Sequence, residues 1–141
     1  MYTLLLIQFD VTQPRKASES EVLLVHDGKY LETIATTCNI IDPEKLEQES
    51  AKYDAVYLNP STYELALYAA GSTIQLAESV VSGKLQNGFA LVRPPGHHAM
   101  RGEACGYCIF NNVAIAATYC LNKYNLKRIL IVDWDVHHGQ A

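Results

Sequence analysis

From Asp42 onward the chain alternates between apolar spacing that suits a helix and short apolar runs that suit a strand. Asp42 before Pro43 is a cap and first-turn pair, predicting a polar helix that runs to about Lys52. Residues 54 to 58 read as a short buried strand bounded by Asn59 and Pro60. Ser61, Thr62, Tyr63 and Glu64 have the form of a capping box, and a long helix should follow. Its expected apolar face is Leu65, Tyr68, Ala69, Ser72, Leu76 and Val80, with Gly83 as terminator. Residues 88 to 92 form another apolar run, halted by Arg93, Pro94, Pro95 and Gly96, which should make a rigid loop. Asn112 through Lys123 predicts a further helix, and residues 128 to 132 a continuous apolar strand.

Uninterrupted apolar strands alternating with helices indicate an α/β domain with a mainly parallel sheet covered on both faces. Sites in such sheets lie at the carboxyl ends of the strands. That rule points at the loop after Val92 and at the segment after Val132.

Composition adds exclusions. The 141 residues, 49% hydrophobic and 18% charged, fit one globular domain or a piece of one. A net charge of -4 and a pI near 5.7 argue against a nucleic-acid surface and favour a basic over an acidic substrate. Leu4 to Ile7 is too short for a membrane span and lacks a preceding basic region, so neither leader nor anchor is expected. Cys38, Cys105, Cys108 and Cys120 without a leader suit a reducing compartment, the cytoplasm by default. The Cys105 and Cys108 C-x-x-C could be a redox pair, half of a zinc knuckle, or two small buried thiols; the missing second pair favours the thiols.

Three segments carry chemistry. In extended chain Asp133, Asp135 and His137 would share one face, with Trp134 and Val136 on the other. Two carboxylates and an imidazole at the end of a buried strand are costly unless a cation binds them, and all three are ordinary zinc ligands. A hydrogen-bonded polar strand end is the bland alternative. His97 and His98 follow two prolines and a glycine, a stiff setting that suits residues moving protons at fixed geometry, though adjacent histidines can also be an exposed accident. Gly106 and Tyr107 precede a helix, where glycine allows close backbone approach and an aromatic can wall a channel; a turn glycine and a core aromatic read equally well.

Together R-P-P-G-H-H-A, G-Y-C-I-F-N-N-V-A-I-A-A and I-L-I-V-D-W-D-V-H-H-G resemble the zinc-dependent histone deacetylase family. The wording is nearest the class IIb branch, in particular the first catalytic domain of its two-domain cytoplasmic tubulin-deacetylating members. The resemblance runs from about Ser20, through V-H-D-G-K-Y and Y-D-A-V-Y-L-N-P, to Gly139. It implies residues 1–20 as a divergent segment and 21–141 as the N-terminal part of a deacetylase domain, a three-layer α/β/α sandwich of the arginase/deacetylase fold in incomplete form. It implies hydrolysis of acetyl-lysine on histone tails or tubulin, with zinc as cofactor, a structural potassium ion, no membrane and no direct nucleic-acid partner. The cytoplasm is the implied location, with the nucleus as a second compartment.

Residue by residue, Asp135 and His137 resemble the first two zinc ligands, and His97 and His98 the pair that activates water and handles the amine's proton. Asp133 resembles the carboxylate that orients His97, at a strand end that also binds potassium. Gly106 and Tyr107 fall on the acetyl-lysine tunnel, where the family usually has Gly-Phe. The family's third zinc ligand, an Asp, and its carbonyl-polarising Tyr lie far downstream of H-H-G, and its His-Pro-Glu opening is not found in residues 1–20. Gln140 stands where many relatives have Asp or Asn, and Ala141 where Gly usually follows. A fragment or truncated isoform, inactive alone, is the expectation. A non-catalytic binding product and an acetylpolyamine amidohydrolase of the same fold are the alternatives.

Overall fold

A computed structural model describes residues 11–140; the reading of Leu4 to Ile7 lies outside them. The elements are α1 (Glu19–Val22), α2 (Gly28–Thr36), a 3-10 turn (Thr37–Asn39), α3 (Pro43–Ser50), α4 (Thr62–Val81) and α5 (Asn112–Tyr124). The three expected helices form close to their predicted bounds. In α3 the Asp42 carboxylate accepts the Glu44 amide at 3.0 Å and Pro43 opens the first turn. Asn111 does the same for α5 through Ala114, and left-handed Asn125 ends it.

Two helix expectations need correction. Ser61 makes no side-chain cap, because its backbone is already helical (φ -92°, ψ -7°). Its own amide donates to Asn59 Oδ1 at 2.8 Å, Thr62 Oγ1 accepts the Asn59 amide at 2.9 Å, and Glu64 pairs instead with Lys16. The capping box that does form joins Ser18 and Glu21 at α1. The buried face of α4 is also rotated from the expected one. Ala69 is buried as expected, but Ala66, Ala70 and Ile74 are buried beside it whereas Leu65 is 48% exposed, since the small residues let α5 and the incoming chain approach closely. At Gly71 a Cβ would stand 2.3 Å from the Arg15 carbonyl oxygen, and Ala17 donates to the Leu67 carbonyl at 2.8 Å beside it. Residues 15 to 17 thus cross α4 where only glycine fits.

The core centres on Phe110, fully buried, with Tyr30 and Tyr63 edge-on to it at 6.2 and 6.4 Å. Glu78 on α4 receives hydrogen bonds from Lys123, Tyr124 and Tyr119 of α5, joining the far ends of the two helices.

The predicted strands are the larger correction. Among the described residues no strand is formed; the parallel pairing is a single bridge, Asp54 to Cys105. Leu58 is buried as expected, but Phe89, Leu91, Leu130 and Val132 are 85, 90, 85 and 62% exposed. An apolar run becomes a buried strand only when neighbouring strands take its amides and carbonyls and layers cover both faces. Residues 88 to 92 and 128 to 132 have no such ladder among the described residues.

Candidate active site

Three loops converge at the start of α5. The first carries His97 and His98. The Arg93–Pro94 peptide is cis, and Asn112 Nδ2 holds the Pro94 carbonyl at 3.1 Å. A Cβ on Gly96 would lie 2.6 Å from the Asn112 nitrogen, so glycine lets the loop sit on the helix end. The Ala99 amide closes the turn onto the Gly96 carbonyl at 3.0 Å.

The second loop is a tight hairpin. Cys105 and Cys108 exchange both backbone hydrogen bonds, and Gly106 and Tyr107 between them have φ of +52° and +66°, the two positive values that a two-residue I′ turn requires. The Gly106 and Tyr107 amides donate to the Asp54 and Ala55 carbonyls at 3.0 and 2.8 Å. A Cβ on Gly106 would meet His98 Cδ2 at 2.6 Å. The glycine is therefore both a turn residue and a close approach to the histidine. Tyr107 is 68% exposed, which removes the core-aromatic reading. It borders a groove of about 230 Å³ that also touches Tyr57, Leu65, Arg93 and Ile109. Cys105 and Cys108 are free buried thiols; burial pushes the Cys108 thiol up, and its sulfur accepts the His98 amide at 3.4 Å.

The third is the segment after Val132. Asp133 accepts the Asp135 amide at 3.0 Å, and Asp135 accepts the His137 amide at 2.8 Å, two successive Asx turns that fold the segment back. The free oxygen of Asp133 accepts the His97 Nδ1 proton at 2.7 Å. Gln140 Oε1 accepts the His98 Nδ1 proton at 2.6 Å, while its amide group reaches the Cys105 sulfur at 3.4 Å. A Cβ on Gly139 would collide with the His97 carbonyl oxygen. The rings of His97 and His98 are 4.0 Å apart, and His137 lies 6.4 Å from His98. The Asp135 amide, then His97, holds the Asp133 carboxyl below its usual range; the His137 amide does the same for Asp135.

His97, His98, Asp133, Gly106 and Tyr107 are thus gathered from places far apart in sequence, with Asp135 and His137 beside them. The setting differs from the expected buried strand end: Trp134 and Val136 face solvent at 93 and 90% exposure, and the polar side chains turn toward the histidines. His138 joins no other site residue; its ring meets the Gly139 carbonyl. Sequence reasoning passed over Gln140 as the partner of His98 and Gly96 and Gly139 as packing positions. The glycines flanking each histidine pair were the available signal. Among the described residues no group of three or more His, Cys, Asp or Glu is arranged to hold a metal ion. Asp135 Oδ1 and His137 Nδ1 are 3.3 Å apart, close to the roughly 3.3 Å that separates two donors about 2.0 to 2.1 Å from a tetrahedral zinc. The pair fits two corners of such a site.

Known proteins give this geometry a family. The histone deacetylase domain model matches residues 3–141. The chain is 52% identical over 127 residues to "Polyamine deacetylase HDAC10" of Homo sapiens, covering 90% of this chain and 19% of that protein. It is 44% identical over 129 residues to "Histone deacetylase 18" of Arabidopsis thaliana, covering 89% of this chain and 19% of that one. The crystal structure of the HDA15 HD domain superposes with a TM-score of 0.78 at 35% identity, covering 92% of this chain and 34% of that chain. The chain therefore spans about a fifth of the length of these curated relatives, and it carries, in incomplete form, the α/β/α arginase/deacetylase fold. With a domain match over nearly all its length and two paired histidines at the positions the motifs mark, this chain belongs to the histone deacetylase family.

Proposed function

We propose that this chain contributes the proton-transfer half of a zinc-dependent site that hydrolyses an N-acetylated alkyl amine to the amine and acetate. The paired histidines carry this reading. A carboxylate and an amide oxygen each take an Nδ1 proton, which leaves both Nε2 atoms available for chemistry. His97, backed by the charged Asp133, is suited to hold a positive charge as it forms. His98, backed by the neutral Gln140, is suited to accept a proton from water and return it to the leaving amine. Tyr107 and the Gly106 backbone wall the acyl-amine approach, where a neutral acetylated side chain avoids the desolvation cost of a charged one.

Asp135 and His137 would hold zinc, which takes three protein ligands at a catalytic site; the third is not among the described residues. When bound, the ion supplies Lewis acidity that polarises the amide carbonyl and makes water a usable nucleophile near neutral pH. Asp133, with lone pairs left beyond its two hydrogen bonds, would also serve a structural potassium ion.

For the substrate we favour an acetylated polyamine over the acetyl-lysine of histone tails or tubulin. A relative 52% identical carries the polyamine deacetylase name, and the net charge of -4 suits a polycation. Acetylated protein is the second reading, supported by the histone deacetylase name of the Arabidopsis relative. A cytoplasmic site of action belongs to the same proposal.

The test grafts the matched 127 residues into the human relative's catalytic domain. The chimera should release acetate from an acetylated polyamine faster than from an acetyl-lysine peptide, in a chelator-sensitive manner. His98→Ala should lower that rate by about a hundredfold or more. A folded, zinc-loaded chimera with no activity, or one indifferent to His98, would refute the proposal.

A further inference from the structure

His26 lies outside the candidate site, yet it is 2% exposed and fully bonded. Its Nε2 accepts the Asn111 amide at 2.9 Å, so in the neutral ring the proton is on Nδ1, which donates to the Arg101 carbonyl at 3.2 Å. These two partners bracket the loop that contains the Gly106–Tyr107 turn and ends at the cap of α5. The same carbonyl accepts the Asp27 amide at 3.0 Å, and the Asp27 carboxylate pairs with Arg101 at 2.6 Å.

We infer that His26 is a positioning residue, which, neutral and protonated on Nδ1, pins the loop from Arg101 to Asn111 to the α1–α2 junction and so holds the Gly106–Tyr107 turn against His98. The consequence for substrate rests on the deacetylase reading; the pinning itself does not. A second proton on the ring would set an Nε2–H against the Asn111 N–H, donor facing donor, and bury a charge. The groups that face the ring offer that charge little compensation. Asp27 is engaged by Arg101, Tyr30 on α2 directs its hydroxyl to the Ile109 carbonyl at 2.6 Å, α1 presents the Val22 carbonyl to the His26 amide, and the loop presents Phe110 at 5.4 Å. Burial accordingly pushes the His26 imidazole below its ordinary value. The neutral form is thus favoured by folding, and the stabilisation it brings is lost as pH falls below about 6.5, the ordinary imidazole value.

Amide hydrogen exchange of the full chain, corrected for the intrinsic pH dependence, reads the pin directly at Asn111, Gly106 and Tyr107. His26→Phe keeps the ring packing and removes both hydrogen bonds; protection at those three amides should fall about tenfold while α4 amides are unchanged. His26→Gln, with an acceptor and a donor at its tip, should restore most of it. Wild type should lose protection at the three amides as pH falls below about 6.5, the ordinary imidazole value, and the Gln variant should not. Equal protection in wild type and His26→Phe, a uniform loss across all helices, or a Gln variant that follows the wild-type pH profile would overturn the assignment. None of these readouts uses activity, so a failed chimera and a failed pin are distinguishable.

Discussion

Replacing Gly106 with alanine tests how tightly the hairpin is built against His98. Two costs are separable. A φ of +52° places an L-residue in the left-handed region, about 1 to 2 kcal/mol. The added Cβ would also stand 2.6 Å from His98 Cδ2 and 3.0 Å from Cγ, so the ring must move. His98 has little freedom, because Gln140 holds its Nδ1 at 2.6 Å and Cys108 its amide at 3.4 Å. Overpacking of this kind costs about 1 to 3 kcal/mol. Gly83 supplies the control: its φ is +77°, and a Cβ there meets nothing within 4 Å. Urea unfolding should therefore show Gly83→Ala destabilised by about 1 to 2 kcal/mol and Gly106→Ala by about 2 to 5. The His98 ring resonances should shift only in the Gly106 variant. Equal losses for the two variants, with His98 unmoved, would refute the packing of the turn on the histidine.

Tyr30→Phe leaves the Ile109 carbonyl without its 2.6 Å donor and should cost about 1 to 2 kcal/mol in the same urea assay, with the buried ring unchanged. Asp133 should titrate below the ordinary aspartate range in a carboxyl NMR titration. Because its folded value is depressed, its contribution to stability is present above the unfolded value of about 3.9 and disappears as pH falls through the lower folded one; Asp133→Asn should remove that acid limb. A small maleimide should label exposed Cys38 first in the native protein, the buried Cys105, Cys108 and Cys120 following only on unfolding; rapid native labelling at Cys105 or Cys108 would contradict the closed hairpin.

Local chemistry made much of this protein readable before its structure. Asp42 with Pro43 and Gly83 each mark a helix end through interactions within a few residues, the run from Asn112 to Lys123 has helical spacing, and those helices form. The histidine pair, the Asp133 segment and the hairpin glycine were likewise visible, because the residue types that move protons or bind metals are few and their order along the chain is distinctive. The helix face was readable only in part. Leu65 has the apolarity of a core residue, but Ala66, Ala70 and Gly71 occupy the contact, since what decides is how near another backbone must come. The strands were not readable: residues 88 to 92 and 128 to 132 have strand composition, while a strand exists only through hydrogen bonds to neighbours that composition does not specify. The family resemblance, not local pattern, anticipated His97 with Asp133 across 36 residues, and tertiary structure alone joined His98 to Gln140 and His26 to Asn111 across 42 and 85 residues. Such pairings depend on chain crossings and glycine contacts, and no local periodicity encodes them.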